Sequence, residues 1–116
     1  MTAEQAAGYQ KFKESRQEPL RLSIALKSFF EEGLDTEVRG AYQQYLHRRL
    51  QPAAETLIDA GDTVRLRELA ELDWFSERQV DGLIELALRK KKTAALVWLL
   101  RWKGEKYGFH DRDFSL

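Results

Sequence analysis

The sequence predicts an all-α domain spanning residues 1–116, with about six helices stacked as helical hairpins. Three observations carry this prediction. Helix-forming Ala, Leu, Glu, Gln, Lys and Arg dominate, and no stretch alternates apolar and polar side chains as a half-buried strand would. Apolar residues recur three and four positions apart, which gathers them on one stripe of a helix. The breaks between stripes fall on residues that cap or stop helices.

Each element can be justified in turn. Thr2 with Gln5 makes a capping box for an Ala-rich, loosely packed helix ending before Pro19. A second helix runs from Leu20 to Glu32, with Leu22, Leu26, Phe29 and Phe30 on its stripe and Gly33 as its stop. Asp35 caps a third, carrying Val38, Ala41, Tyr42, Tyr45 and Leu46. Pro52 breaks or kinks the chain there, or opens a fresh helix at its first position. Leu50, Ala53, Ala54, Leu57 and Ile58 continue the pattern to Gly61, and Asp62 starts the next helix with Leu66, Leu69 and Ala70. Ser76 and Gln79 form a second capping box, followed by Val80, Leu83, Ile84 and Ala87. The final helix begins near Thr93, and residues 105–116 read as a charged tail.

Totals set the outer bounds. Lys plus Arg and Asp plus Glu both number 19, so the net charge is zero, which speaks against a dedicated nucleic-acid binder but leaves room for a local patch. Cysteine is absent, removing disulfides, thiol catalysis and thiolate metal sites together. The first residues lack the apolar core of a signal peptide, and the longest apolar run, Thr93 to Leu100, falls far short of the roughly 20 residues that cross a bilayer. The expectation is a cytoplasmic protein that does not enter a membrane.

The chain also shows a recurrence. Thr63 to Ala70 lies over Thr93 to Leu100 at an offset of 30, and the same offset places Leu50 on Val80, Ala53 on Leu83, Ala54 on Ile84 and Glu55 on Glu85. Ser23 to Phe30 follows the same template, a polar residue preceding apolar positions three, six and seven steps later. Paired short helices at such a spacing are the unit of a helical solenoid. The segment Ala87 to Leu100, a helix, a short polar turn and a helix ending in a double leucine, resembles the core of an ankyrin repeat, and Leu57 to Leu69 is a second, weaker example. The likeness covers about half the chain. The Thr-Pro-Leu-His opening and the β-hairpin finger of that family are missing. What the resemblance implies is protein binding through a groove, without catalysis.

Candidate sites are few. From Arg89 to Lys106 there are seven cations (Arg89, Lys90, Lys91, Lys92, Arg101, Lys103 and Lys106) against one anion, Glu105. One reading is a phosphate-binding patch of Arg89, Lys90, Lys91, Lys92 and Lys103, with Trp98 or Trp102 stacking on bases. The plainer reading is a solvated turn, its cations complementing a helix dipole, followed by a helix so apolar all round that it is buried between neighbours. The plainer reading is favoured. Trp98 and Trp102, four apart on one face, form the preferred partner-binding surface, covered in part by Tyr107-Gly108-Phe109 and otherwise by a protein partner, most simply a second copy. Leu96, Leu99, Leu100 and Lys103 lie on the opposite face, against the helix begun at Ser76.

Tyr42 and Tyr45 share a face with Val38 and Leu46, and are either hot-spot residues or core side chains whose hydroxyls reach the surface. His47 has no second ligand at helical spacing, and His110-Asp111-Arg112-Asp113 reads as a solvated tail. Phe114-Ser115-Leu116 is too short to read as a docking motif. No HExxH, Gly-rich phosphate loop or GxSxG occurs, so no catalytic site, metal, cofactor or small-molecule substrate is expected. The function expected is a non-catalytic adaptor or regulatory interaction module, with nucleic-acid binding through residues 89–106 as the alternative.

Overall fold

Helices begin where the chain supplies its own acceptors for the first free backbone donors. The Thr2 hydroxyl accepts from the Gln5 amide at 3.0 Å and the Gln5 side chain accepts from the Thr2 amide at 3.0 Å, starting α1 (Ala3–Glu14). The computed structural model describes residues 1–108, and among these the chain is all-α, with seven helices and no strand. The others are α2 (Glu18–Ser28), α3 (Thr36–Arg48), α4 (Leu50–Ala60), α5 (Thr63–Ala70), α6 (Glu77–Arg89) and α7 (Thr93–Tyr107). One more helix is present than the sequence predicts, because a single residue, Arg49 with φ −116°, separates α3 from α4. Pro52 falls inside α4. It occupies the first turn, before Ala53 donates to Arg49 O at 2.9 Å, where no backbone donor is required of it.

Other boundaries also move. Pro19 is the second residue of α2, so that helix begins two residues before the expected Leu20, and it ends at Ser28 with Phe29 and Phe30 in the following turn. Asp35 stands at the N-cap of α3 without a side-chain hydrogen bond; its carboxylate faces the N-terminal ammonium at 3.7 Å instead.

Packing divides the chain into two units, Met1–Ala53 and Ala54–Leu116. In the first, α2 packs against both α1 and α3. Phe12, 4% exposed, stacks edge-on to Tyr42 at 4.9 Å and to Tyr45 at 5.1 Å, and Tyr9 meets Tyr42 edge-on at 5.7 Å, so the Ala-rich first helix is anchored by aromatic side chains. The Arg21 guanidinium lies over both Phe12 and Tyr45, at 4.7 and 4.8 Å. Glu18 organises the polar edge of this cluster: it accepts from Tyr45 Oη at 2.7 Å and pairs with Arg49 at 2.9 Å and Arg21 at 3.4 Å. The Tyr45 hydrogen bond and then the two guanidiniums hold its carboxyl below the ordinary value. Burial pushes the Tyr45 phenol up, and the bond to Glu18 adds to that. Tyr42 is fully buried; burial raises its phenol too, and the neighbouring Ser28 hydroxyl pulls it partly back without reaching good hydrogen-bond geometry.

In the second unit α7 packs on α6 and, less extensively, on α5. Leu66, Leu69, Val80, Leu83 and Leu99 are buried there on the stripes that the sequence marks; Phe75 and Leu86 are buried as well, outside those stripes, while Ile84 is only half-buried. Among the described residues no helix is long and apolar enough to cross a membrane.

Two expectations test this packing. Leu99→Ala should lower unfolding free energy by roughly 2–5 kcal/mol in urea denaturation, since a fully buried leucine is replaced by a cavity. Unchanged stability would mean that α7 is not seated on α6 through Leu99. The second concerns alkaline pH. Tyr42 and Tyr45 have folded values raised above the ordinary 10.0, so their contribution is fully present below that value. It should be lost as pH climbs through the folded values, because the unfolded chain releases these protons first. Urea midpoints should therefore fall above about pH 10, and Tyr42→Phe with Tyr45→Phe should flatten the decline.

Candidate interaction surface on the second hairpin

The links α4 to α5 and α6 to α7 turn in the same way, although only α6 and α7 pack extensively on each other. At the end of α4, Gly61 adopts φ +70°, its amide donates to Ile58 O at 3.1 Å, and the Asp62 amide donates to Leu57 O at 2.9 Å. At the end of α6, Lys91 adopts φ +58°, its amide donates to Leu88 O at 3.1 Å, and the Lys92 amide donates to Ala87 O at 2.8 Å. This is the left-handed C-terminal turn that satisfies the last carbonyls of a helix. Asp62 and Lys92 then occupy matching N-cap positions, with φ, ψ of −87°, 78° and −89°, 77°. The offset between the two turns is the 30 residues seen in the sequence. Such a turn belongs to helical hairpins in general and carries nothing specific to ankyrin repeats.

The residues in these equivalent places differ in a telling way. Gly61 enters the left-handed region without a Cβ penalty, and the Asp62 carboxylate accepts from Arg65 N at 3.0 Å as a helix cap. Lys91 carries a Cβ into the same region, and Lys92 provides no side-chain cap for α7. A left-handed non-glycine residue costs about 1 kcal/mol, and an absent cap about another. The lysines are therefore not what the backbone favours there.

α7 presents three faces. Ala95 and Leu99 are buried. Trp98 and Trp102 are half-buried on the side toward α5, stacked on each other at 5.8 Å with their planes 16° apart. Arg67 of α5 lies 6.0 Å over Trp98, Lys106 lies 5.2 Å over Trp102, and Tyr107 meets Trp102 edge-on at 6.4 Å while its hydroxyl donates to Phe75 O at 3.3 Å. Tyr107 is thus the last residue of α7 rather than part of a returning tail. Its phenol is pushed up by burial, followed by the charges of Glu77 and Asp81. The third face holds Ala94, Val97, Leu100 and Arg101 in solvent, Val97 at 51% and Leu100 at 48% exposed.

That third face corrects an expectation. The helix is apolar nearly all round, yet it is not buried all round: α6 and α5 cover two sides, and Leu100, expected against α6, stands open. Leu96 is half-buried, and only Leu99 of that set is enclosed. Leu88, just before the turn, is 63% exposed. One hairpin earlier, the residues matching Leu88 and Leu100 are Ile58 and Ala70, exposed by 0% and 2%. Residues that would serve as core in one hairpin are thus surface in the other, a distinction that periodicity alone does not carry because it reports no neighbour.

The basic segment divides into two groups. Lys90 pairs with Asp59 at 2.5 Å, Lys103 with Asp81 at 2.7 Å, and Lys106 with Asp73. Lys103 does reach α6, as expected, but as one half of an ion pair. Arg89, Lys91, Lys92 and Arg101 form no ion pair among the described residues. The five-residue phosphate set Arg89, Lys90, Lys91, Lys92 and Lys103 is therefore not a set of equivalent cations, and Trp98 and Trp102 stand toward α5 with Arg67 and Lys106 against their rings. Tyr42 and Tyr45 are in the interior of the first unit at 0% and 3% exposure, as core side chains, and only Tyr45 directs its hydroxyl to a polar partner at the edge. His110 and its neighbouring carboxylates, Phe109, and Phe114-Ser115-Leu116 lie outside the described residues. Among the described residues no group of three or more His, Cys, Asp or Glu is placed to hold a metal ion.

The turn comparison generates a stability test. Lys91→Gly should stabilise the protein by about 1 kcal/mol by relieving the left-handed Cβ. Lys92→Asp should add about 1 kcal/mol by capping α7 as Asp62 caps α5. Melting curves on the two single variants check this; a loss of stability in both would show that the lysine side chains hold the turn.

Compared with models of protein families, with curated proteins and with solved structures, the chain matches none.

Proposed function

We propose that the protein is a non-catalytic interaction module, an adaptor or regulatory subunit of helical-hairpin build acting in the cytoplasm, and that it binds a protein partner through the open side of the α6–α7 hairpin. The observation that carries this is the exposure of Leu88 at the end of α6 and of Val97 and Leu100 on α7, while Ile58 and Ala70, which match Leu88 and Leu100, are covered. Large apolar side chains grouped in water, beside charged ones, mark a surface that another chain covers. The tryptophan pair, the first choice from sequence, is half-buried toward α5 and contributes at its edge at most.

Nucleic-acid binding is the second reading, and the specific observation in its favour is the set of cations Arg89, Lys91, Lys92 and Arg101, which form no ion pair among the described residues. It makes no use of the exposed aliphatic side chains, and the stacking aromatics it calls for stand on another face. Protein binding uses both the cations and the aliphatic residues.

A replacement of Val97 and Leu100 by serine should leave melting behaviour within about 0.5 kcal/mol, because both sites are exposed. The expected outcome is that a partner captured by wild type, then purified, forms a binary complex with wild type in size-exclusion chromatography and none with the variant. A complex that survives the double replacement places the interface elsewhere and removes this surface from the proposal.

A further inference from the structure

We infer that the open face of the α6–α7 hairpin receives an acidic amphipathic helix of a partner protein; this rests on reading the chain as an interaction module and names the partner's chemistry. Ala70, the counterpart of Leu100, is covered on a helix that packs against α7, so the chain already shows that this position accepts a helical neighbour. Val97 and Leu100, three residues apart on one exposed face of α7, offer the aliphatic contacts that an i, i+3, i+4 stripe would use.

At Lys91 and Lys92 the chain carries cations where its own earlier hairpin has glycine and a capping aspartate, in the same backbone conformation. Positions that break a local preference without a structural return are where a functional role is expected. What the two lysines add is positive charge at the uncapped, positive end of α7, beside Arg89. Arg101 lies eight residues after Thr93, about 12 Å along the helix. A complementary helix therefore carries carboxylates at two places about two turns apart, flanking its apolar stripe. A second copy would bring the same cations against themselves. A nucleic acid would leave Leu88, Val97 and Leu100 unused.

The test uses the full chain and three labelled probes. These are an amphipathic peptide of about 18 residues with a leucine stripe and glutamate flanks, the same peptide with lysine flanks, and a mixed-sequence single-stranded DNA of about 20 nucleotides. Fluorescence anisotropy should show the glutamate peptide binding at least tenfold more tightly than the lysine peptide. Lys91→Gly with Lys92→Asp should weaken it tenfold or more while the melting temperature rises, which separates lost recognition from lost folding. Leu100→Ser should weaken it comparably. Equal binding of both peptides, lost with Leu100→Ser, overturns the acidic partner while leaving the interaction surface standing. Preference for the oligonucleotide overturns both the inference and the protein-binding reading. Dimers in light scattering that vanish with Leu100→Ser overturn the inference in favour of a second copy. If neither peptide binds, helix docking is wrong, and the module reading is then decided by the reconstituted complex alone.

Discussion

Two links of this chain, α4 to α5 and α6 to α7, turn within two or three residues by placing one residue in the left-handed region, and the comparison of these two turns organises the second unit. Gly33 after α2, Gly61 after α4, Asp73 after α5, Lys91 after α6 and Gly108 after α7 all have positive φ. Helices of eight to fifteen residues gain little from propensity alone and are held by burying one stripe each. Short left-handed turns keep successive stripes close enough to share that burial. Of the five positions, three are glycine and one is Asp, a residue whose short side chain tolerates the region. Lysine is the exception, and it is the exception that carries the functional argument.

The helical fold was legible because caps and stripes are local signals. Thr2 with Gln5 and Ser76 with Gln79 form the reciprocal bonds that their spacing predicts, and Leu66, Leu69, Val80, Leu83 and Leu99 are buried on the stripes that name them. Boundaries were less legible where two signals compete. Pro19 looks like a terminator and is in fact inside the first turn of α2; Pro52 does the same in α4. Asp35 has the right identity and place for a cap, but the N-terminal ammonium draws its carboxylate away.

The candidate surface was only half legible. A run of cations is visible in the sequence, but which of them are neutralised depends on Asp59, Asp73 and Asp81, carboxylates 22 to 33 residues away along the chain. Likewise, Val97 and Leu100 sit on a helix whose apolar residues nearly encircle it, and a helix of that kind normally reads as core. Whether it is core depends on how many neighbours it has. Here α6 and α5 occupy two sides, and the third is left to solvent. The Trp98–Trp102 pair illustrates the reverse case. Its spacing correctly places the two indoles together, but the face they share turns toward α5, where Arg67 and Lys106 lie over the rings.

Energetic preference separates the two kinds of cation more sharply than position does. Lys90, Lys103 and Lys106 each meet a carboxylate on another part of the fold, so each has a structural reason to be basic, although exposed pairs of this sort contribute at most about 1 kcal/mol. Lys91 and Lys92 have the opposite balance. Their backbone positions favour glycine and aspartate by a margin of the same size or larger, and no carboxylate among the described residues compensates. The earlier hairpin makes the comparison internal: the same turn, closed by the same hydrogen bonds, exists in one molecule with and without the penalty. Differences of temperature or solvent do not enter it. A charge placed against the preference of its own backbone, on a hairpin whose aliphatic side chains stand in water, is what supports the proposal that another molecule covers this surface.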